Sequence, residues 1–348
     1  MSGPAVALDA DVLGRERTGD ETYVSSLLAE LPALAPDLRF LAVTRKPDRV
    51  PHAVQALELP ARSQPFRMAW TLPRLLRRLG PSVAHFQHVV APGYRGAAVV
   101  TIHDLSFERD RSLMNARDRF FFRTMVPRSV RRAERVLVVS ERTKRDVVDE
   151  YGVSESKVVV TPNGVDRTFS PDGPSRDGRP YLLFVGALQR RKDPVTAIEA
   201  LGRLDDLDLV LVGPDKGGEA EARAAVARLG LEERVEFTGH VEKPELARLY
   251  RGATCLVLPS RYEGFGLPVL EAMASGTPVV TTTAGALPEV AGDAAVIVEP
   301  GDSVALAAGV ETALRERELL VEAGRARARR FSWTETARRT LAVYRELL

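Results

Sequence analysis

Short runs of β-branched and aliphatic residues alternate with longer amphipathic stretches along this chain, and that alternation allows little besides parallel sheets flanked by helices. In the first half the runs are Ala5 to Asp9, Leu38 to Thr44, Val83 to Phe86, Ala98 to His103, Val136 to Ser140 and Val158 to Thr161. Between them apolar residues recur at helical spacing, as Tyr23, Leu27, Leu28 and Leu31 do. Residues 171–180 carry three prolines and two glycines and almost no apolar side chain, which neither helix nor strand tolerates. The pattern then restarts with Tyr181 to Val185, Leu207 to Val212, Val235 to Thr238, Cys255 to Leu258, Val279 to Thr282 and Val296 to Glu299. The reading is an α/β chain of two Rossmann-like domains facing each other across a cleft. Its divisions are 1–170, a linker 171–180, and 181–348, with the final helix able to pack back on the first domain.

At 348 residues, 45% of them apolar and 28% charged, the chain has the material for two cores, which excludes disorder and fibrous folds. One cysteine, Cys255, forbids a disulfide within the chain or a multi-cysteine metal site, and suits a reducing cytoplasm. Charge or proline interrupts every apolar stretch short of a bilayer span, and no basic-then-apolar leader opens the sequence, so a soluble, cytoplasmic chain is expected. The net charge of +2 argues against nucleic acid as a partner. It hides an asymmetry, because residues 1–170 hold 26 basic against 20 acidic residues and the second half is net acidic.

In open α/β sheets ligands gather beyond the carboxyl ends of the strands, so the residues after each run are the ones to read for chemistry. After Leu258 the chain reads Pro259-Ser-Arg-Tyr-Glu-Gly-Phe-Gly-Leu-Pro-Val-Leu-Glu-Ala-Met-Ala-Ser-Gly276, a loop entering a helix with Pro268 in its first turn and Gly276 beyond its end. The amides of Gly264, Phe265, Gly266 and Leu267 form an anion site there. Glu263 and Glu271 flank it, and carboxylates suit the vicinal hydroxyls of sugar and ribose. The plain alternatives are a solvated loop acid at Glu263 and a buried salt bridge at Glu271. After Val185, Gly186-Ala-Leu-Gln-Arg-Arg-Lys-Asp-Pro194 places Arg191 and Lys192 ahead of a second helix, where they can neutralise a departing diphosphate or form only a solvated basic turn. His103 ends a first-half strand, to serve a sugar or only the structure, while Asp104 can cap the next helix. Gly19 and Asp20 form an acceptor-side loop that reads equally as ordinary flexible chain. The pairs Asp9 with Asp11 and Asp206 with Asp208 lack a clustered third ligand and read as solvated loop acids.

Glu263 to Glu271, with Gly-Phe-Gly-Leu-Pro between, resembles the paired-glutamate motif of glycosyltransferase family 4, retaining enzymes of the GT-B fold. Thr101 to Leu105, Val139 to Glu141, Pro162 to Asp166, Arg191-Lys192, Thr238 to Val241 and Leu287 to Asp293 support the resemblance in order and spacing across essentially the whole chain. It implies Glu263 at the donor sugar hydroxyls, Glu271 at the ribose, the Gly264 to Leu267 amides around sugar and phosphate, and Arg191 and Lys192 on the diphosphate beside Gly186. It also implies His240 and Val241 beside the nucleobase and His103 at the donor sugar. Two departures stand out. Ala187 occupies a position that is arginine in many members, and the N-terminal loop, often a glycine pair, reads Arg17-Thr18-Gly19-Asp20-Glu21.

The implied reaction moves a hexose from a nucleotide diphosphate sugar, GDP-mannose or a UDP sugar, to a hydroxyl of a glycan or lipid-linked acceptor, with retention and without a metal cofactor. A nucleotide-sugar hydrolase or epimerase, and a non-catalytic nucleotide-sugar binder, are the alternatives. A dinucleotide-dependent oxidoreductase is a further alternative, but its Gly-x-Gly-x-x-Gly fingerprint is missing after every candidate strand. Residues 109–135 carry nine arginines against three acids around Phe120, Phe121, Phe122, Met125 and Val126, and residues 67–78 repeat the theme around Met68, Trp70, Leu72, Leu75 and Leu76. Such stretches either pack into the first domain or rest on an anionic membrane surface.

Overall fold

A computed structural model describes residues 3–14, 19–59, 63–109 and 116–348. The chain forms two compact units, Met1–Gly164 with Ser332–Leu348, and Val165–Phe331.

The first unit is a seven-stranded, wholly parallel sheet built from β1 (Ala5–Asp9), β2 (Arg39–Thr44), β3 (Gln55–Glu58), β4 (Val83–Gln87), β5 (Ala98–Ile102), β6 (Arg135–Val138) and β7 (Val158–Val160) in the order 3-2-1-4-5-6-7. Its central strands are apolar on both faces, as helices covering both sides of a parallel sheet require. The expected strands are present within a residue or two at their ends. β3 was not foreseen, because Gln-Ala-Leu-Glu is a largely exposed edge with no apolar run.

The second unit is a six-stranded parallel sheet of β8 (Tyr181–Val185), β9 (Asp208–Val212), β10 (Val235–Gly239), β11 (Cys255–Leu258), β12 (Val279–Thr282) and β13 (Val296–Val298), ordered 10-9-8-11-12-13. Cys255 lies in its core, where burial pushes the thiol up to about 12 and leaves it inert.

Three sequence expectations are corrected. The units divide at Gly164 rather than after residue 170, and residues 171–180 are held on the second unit. Arg176 pairs with Glu236 at 2.7 Å, and the Arg251 guanidinium donates to the carbonyl of Pro174 at 2.7 Å. The final helix, Trp333–Arg345, clusters with the first unit, where the Tyr344 hydroxyl meets His85 Nδ1 at 2.6 Å and His85 Nε2 meets Thr101 at 2.7 Å. Burial holds His85 down at about 3, so it is a neutral core link.

Asp9 and Asp11, the second correction, are buried. Arg67, wholly enclosed, pairs with Asp9 at 2.5 Å, and Arg45 forks onto Asp11 with two bonds of 2.7 Å. A buried carboxylate needs such a partner. Asp206 is exposed as expected, and Asp208 is partly covered near Arg179. Third, Arg67 is buried and cannot face a membrane surface, and the exposed arginines of residues 67–78 are Arg74, Arg77 and Arg78.

Candidate functional site

Within each sheet the strand order reverses at one place, between β1 and β4 in the first and between β8 and β11 in the second. Chains leave such a pair of strands in opposite directions and open a crevice at their carboxyl ends. The two loops singled out in the second half follow β8 and β11, the pair that flanks that unit's reversal.

Beyond β11 the loop reaches Gly266, the residue ahead of the helix Leu267–Ala274. Its φ of 112°, together with the Leu287 side chain 2.7 Å from where a Cβ would stand, requires glycine. Beyond β8 the loop ends at Asp193, whose carboxylate accepts from the Thr196 amide at 3.3 Å and opens the helix Pro194–Leu201. A Cβ on Gly213 would meet the Gly186 carbonyl at 2.1 Å, so the turn after β9 presses directly against the start of this loop.

Glu263 joins the two loops. It is buried, and its carboxylate accepts from Lys192 Nζ at 2.5 Å, Arg191 Nη1 at 3.2 Å and Ser260 Oγ at 2.7 Å. Burial alone would raise the Glu263 carboxyl; the Lys192 and Arg191 charges, with the bonds from Lys192 and Ser260, outweigh it and hold it below the ordinary value. Glu263 is therefore an ionised member of a cluster with two cations, not a solvated acid. Arg191 also donates to the Tyr262 carbonyl at 2.8 Å, and the Arg261 amide donates to the Arg191 carbonyl at 2.8 Å, so the cations are fixed before any ligand arrives.

Glu271 stands one turn further on, partly buried, and accepts from the Tyr250 hydroxyl at 2.9 Å. Burial lifts its carboxyl to about 7 against the lowering effects of Tyr250 and Lys243, with Asp166 adding to the rise. The expected salt-bridge alternative is not what the structure contains, since its bonded neighbour is a phenol. Lys243 pairs instead with Asp166. Gly264 and Phe265 are buried, Leu267 is partly so, and Phe265 packs edge-on against Phe331 at 5.9 Å. His240, exposed, and Val241 follow β10 on the same edge of the sheet, with His240 Nε2 at 3.9 Å from Glu242.

In the first unit His103 follows β5 and is buried, its Nε2 2.9 Å from the side-chain oxygen Oε1 of Gln87 and its ring edge-on to Tyr23 at 4.9 Å. Asp104 caps the next turn through the Ser106 amide at 2.9 Å. Gly19 opens the helix Gly19–Leu34, and Asp20 in its first turn meets His88 Nε2 at 3.1 Å. Arg17 and Thr18 lie outside the described residues. Asp20, His88 and His103 place their ligand atoms within 4.8 Å of one another, a group of groups able to hold a divalent ion. Sequence reasoning missed His88 and Gln87 because it stopped the strand at Phe86, and missed Tyr250 because nothing local marks a core tyrosine as a carboxylate partner.

Comparison with known proteins extends this picture. A family model described as "Glycosyl transferases group 1" matches residues 165–330, and one described as "Glycosyltransferase Family 4" matches residues 17–169. O-antigen chain mannosyltransferase B of Escherichia coli is 29% identical over 329 residues, covering 89% of this chain and 83% of that protein. The MMP alpha-(1->4)-mannosyltransferase of Mycolicibacterium hassiacum is 34% identical over 275 residues, covering 72% of this chain and 65% of its own length. Among solved structures, sucrose-phosphate synthase from Thermosynechococcus elongatus superposes with a TM-score of 0.81 at 22% identity over 99% of both chains. Anabaena HepE in complex with UDP and glucose gives 0.77 at 18% identity over 98% of this chain and 99% of that one. These likenesses show the fold, GT-B.

Proposed function

The chain belongs to glycosyltransferase family 4, and on that premise we propose that it moves a hexose from a nucleotide diphosphate sugar to a hydroxyl of a glycan or lipid-linked acceptor, with retention at the anomeric carbon. The observation that carries this reading is the buried Glu263 carboxylate shared by Arg191 and Lys192 ahead of the helix at Leu267. Two fixed cations and a helix N-terminus suit a diphosphate, and carboxylates within the same loop-helix segment suit sugar and ribose hydroxyls.

In this reading Arg191, Lys192 and the Gly264 to Leu267 amides hold the diphosphate beside Gly186. Glu263 orders the sugar hydroxyls, Glu271 the ribose, His240 and Val241 the base, and His103 serves the sugar. The bond from the anomeric carbon to the phosphate oxygen breaks, and the acceptor oxygen bonds to the same face of that carbon. The acceptor proton passes to the departing phosphate oxygen. The protein supplies orientation and stabilises the charge that grows on the leaving group, so no metal cofactor is required.

Mannosyltransferases among the relatives and UDP with glucose in a structural neighbour favour GDP-mannose or a UDP sugar as donor. Among the described residues no helix is long and apolar enough to cross a membrane. Phe66, Trp70, Phe120 and Phe121 are nonetheless exposed among arginines, at 49%, 53%, 74% and 37%. This supports a cytoplasmic chain that rests peripherally on an anionic membrane surface, each nearby basic residue contributing about 1 kcal/mol. Phe122 and Met125 pack against the core and Val126 lies within it, so only one face of the helix Ala116–Arg132 is free for the purpose.

A panel of nucleotide sugars screened by thermal shift tests the donor, and turnover with and without glycan acceptors tests transfer. Rapid consumption of donor that acceptors do not accelerate would make the protein a hydrolase instead. Sedimentation with phosphatidylglycerol vesicles at low and high salt tests the surface, and binding insensitive to salt would leave the aromatic residues without that role.

A further inference from the structure

The reversal in the first sheet has a cluster of its own. Asp20 comes from the first turn of the helix Gly19–Leu34, His88 from the residue after β4, and His103 from the residue after β5. Asp20 Oδ2 lies 3.1 Å from His88 Nε2, and Asp20 Oδ1 lies 3.8 Å from His103 Nε2. The two imidazoles stand 5.2 Å apart, between Tyr23 on the His103 side and Phe122 on the His88 side. His88 adopts a φ of 58°, a region that disfavours side chains, while its amide still donates to the Thr101 carbonyl at 2.9 Å. Strain of this kind in a non-glycine residue concentrates where a side chain must be aimed.

We propose that Asp20 and His88 are positioning residues for His103, holding its ring against Tyr23 and fixing its proton on Nε2, which faces the oxygens of Gln87 and Asp20. The inference rests on reading His103 as an active-site group. A neutral His103 so oriented offers Nδ1 as an acceptor. Its hydrogen bond through Nε2 then serves to aim the ring.

The surrounding charges agree with the geometry. Burial lowers both imidazoles. At His88 the charges of Asp20 and Asp104, with the Asp20 hydrogen bond, overcome burial and raise it. At His103 burial and the His88 charge prevail over Asp20 and Asp104, and it is lowered. His85, on the neighbouring strand, is neutral, and Tyr23, Gln87 and Phe122 add no charge. Asp20 thus favours a proton on His88, while burial and His88 disfavour one on His103.

The five histidines of the chain allow each imidazole to be followed by carbon-13 and nitrogen-15 NMR. In Asp20→Asn the His103 ring should become a mixture of tautomers. Resonances of His85, which lies in the core, report whether the fold is intact. With donor and acceptor, Asp20→Asn and His88→Asn should each lower kcat at least about tenfold while donor KM stays within about threefold. Binding of GDP or UDP should be unchanged, and Asp20→Glu should recover part of the rate. If both variants keep kcat and the His103 tautomer while His103→Ala is impaired, the positioning role is wrong and the functional reading of His103 stands. If His103→Ala itself turns over normally, both fall together.

Discussion

Replacing Glu263 by glutamine keeps the shape of the side chain and removes the charge that two cations share. The carboxylate now accepts from Lys192, Arg191 and Ser260. Glutamine retains one oxygen for Ser260 or Lys192 and turns an amide NH₂ toward the other cation. Two charge-assisted bonds of about 1.5–3 kcal/mol each are weakened. Burying a neutral amide instead of a charge returns part of that, and both cations keep some access to water, so a net loss of about 2–3 kcal/mol is expected. For a unit the size of Val165–Phe331 this lowers its melting temperature by about 5–10 °C near neutral pH.

The sign of the pH dependence follows from the lowered carboxyl. Its contribution is fully present above the unfolded carboxyl value of about 4.3 and is lost as pH falls through the lower folded value. The gap between wild type and Glu263→Gln should therefore be constant from about pH 8 to pH 5 and narrow only below about pH 4. Scanning calorimetry across that range, beside a donor turnover assay, is the measurement. The variant should still be folded at room temperature with kcat reduced at least tenfold, about 1.4 kcal/mol of transition-state stabilisation. A variant that melts with wild type near neutral pH, or a gap that widens on acidification, would refute the reasoning.

Glu271→Gln should act in the opposite sense on stability. A carboxyl raised to about 7 favours folding when protonated and loses that contribution as pH rises through 7, so the variant should melt higher than wild type at about pH 8 and match it in mild acid, while its donor affinity falls. Arg191→Ala and Lys192→Ala should each impair transfer, and a chelator should leave the wild-type rate unchanged; restoration of a chelated enzyme by Mg²⁺ or Mn²⁺ would contradict the metal-free reading. Gly266→Ala places a methyl 2.7 Å from Leu287 at a φ of 112°, and should cost about 2–4 kcal/mol and abolish donor-induced thermal shifts.

The sequence by itself determined the periodicities, and with them the strands, because continuous runs such as Tyr181 to Val185 can be satisfied only by burial on both faces of a parallel sheet. It also determined the chemistry of the loops after β8 and β11, since Gly266, Pro268, Arg191, Lys192 and Glu263 lie within short reach of a strand end. What it left open depends on partners remote in the chain. Asp9 and Asp11 read as solvent acids until Arg67 and Arg45 arrive from the next two crossovers to neutralise them. Glu271 is lifted by burial while its hydrogen-bond donor comes from a tyrosine 21 positions earlier, and His103 gains Asp20 and His88 from two other elements. Residues 171–180 read as a free linker until Arg176 and Arg251 fasten them. Periodicity is a local property that the chain carries everywhere. The ionisation of a buried group depends on which charges share its small volume of low dielectric, and only the tertiary fold brings those charges together.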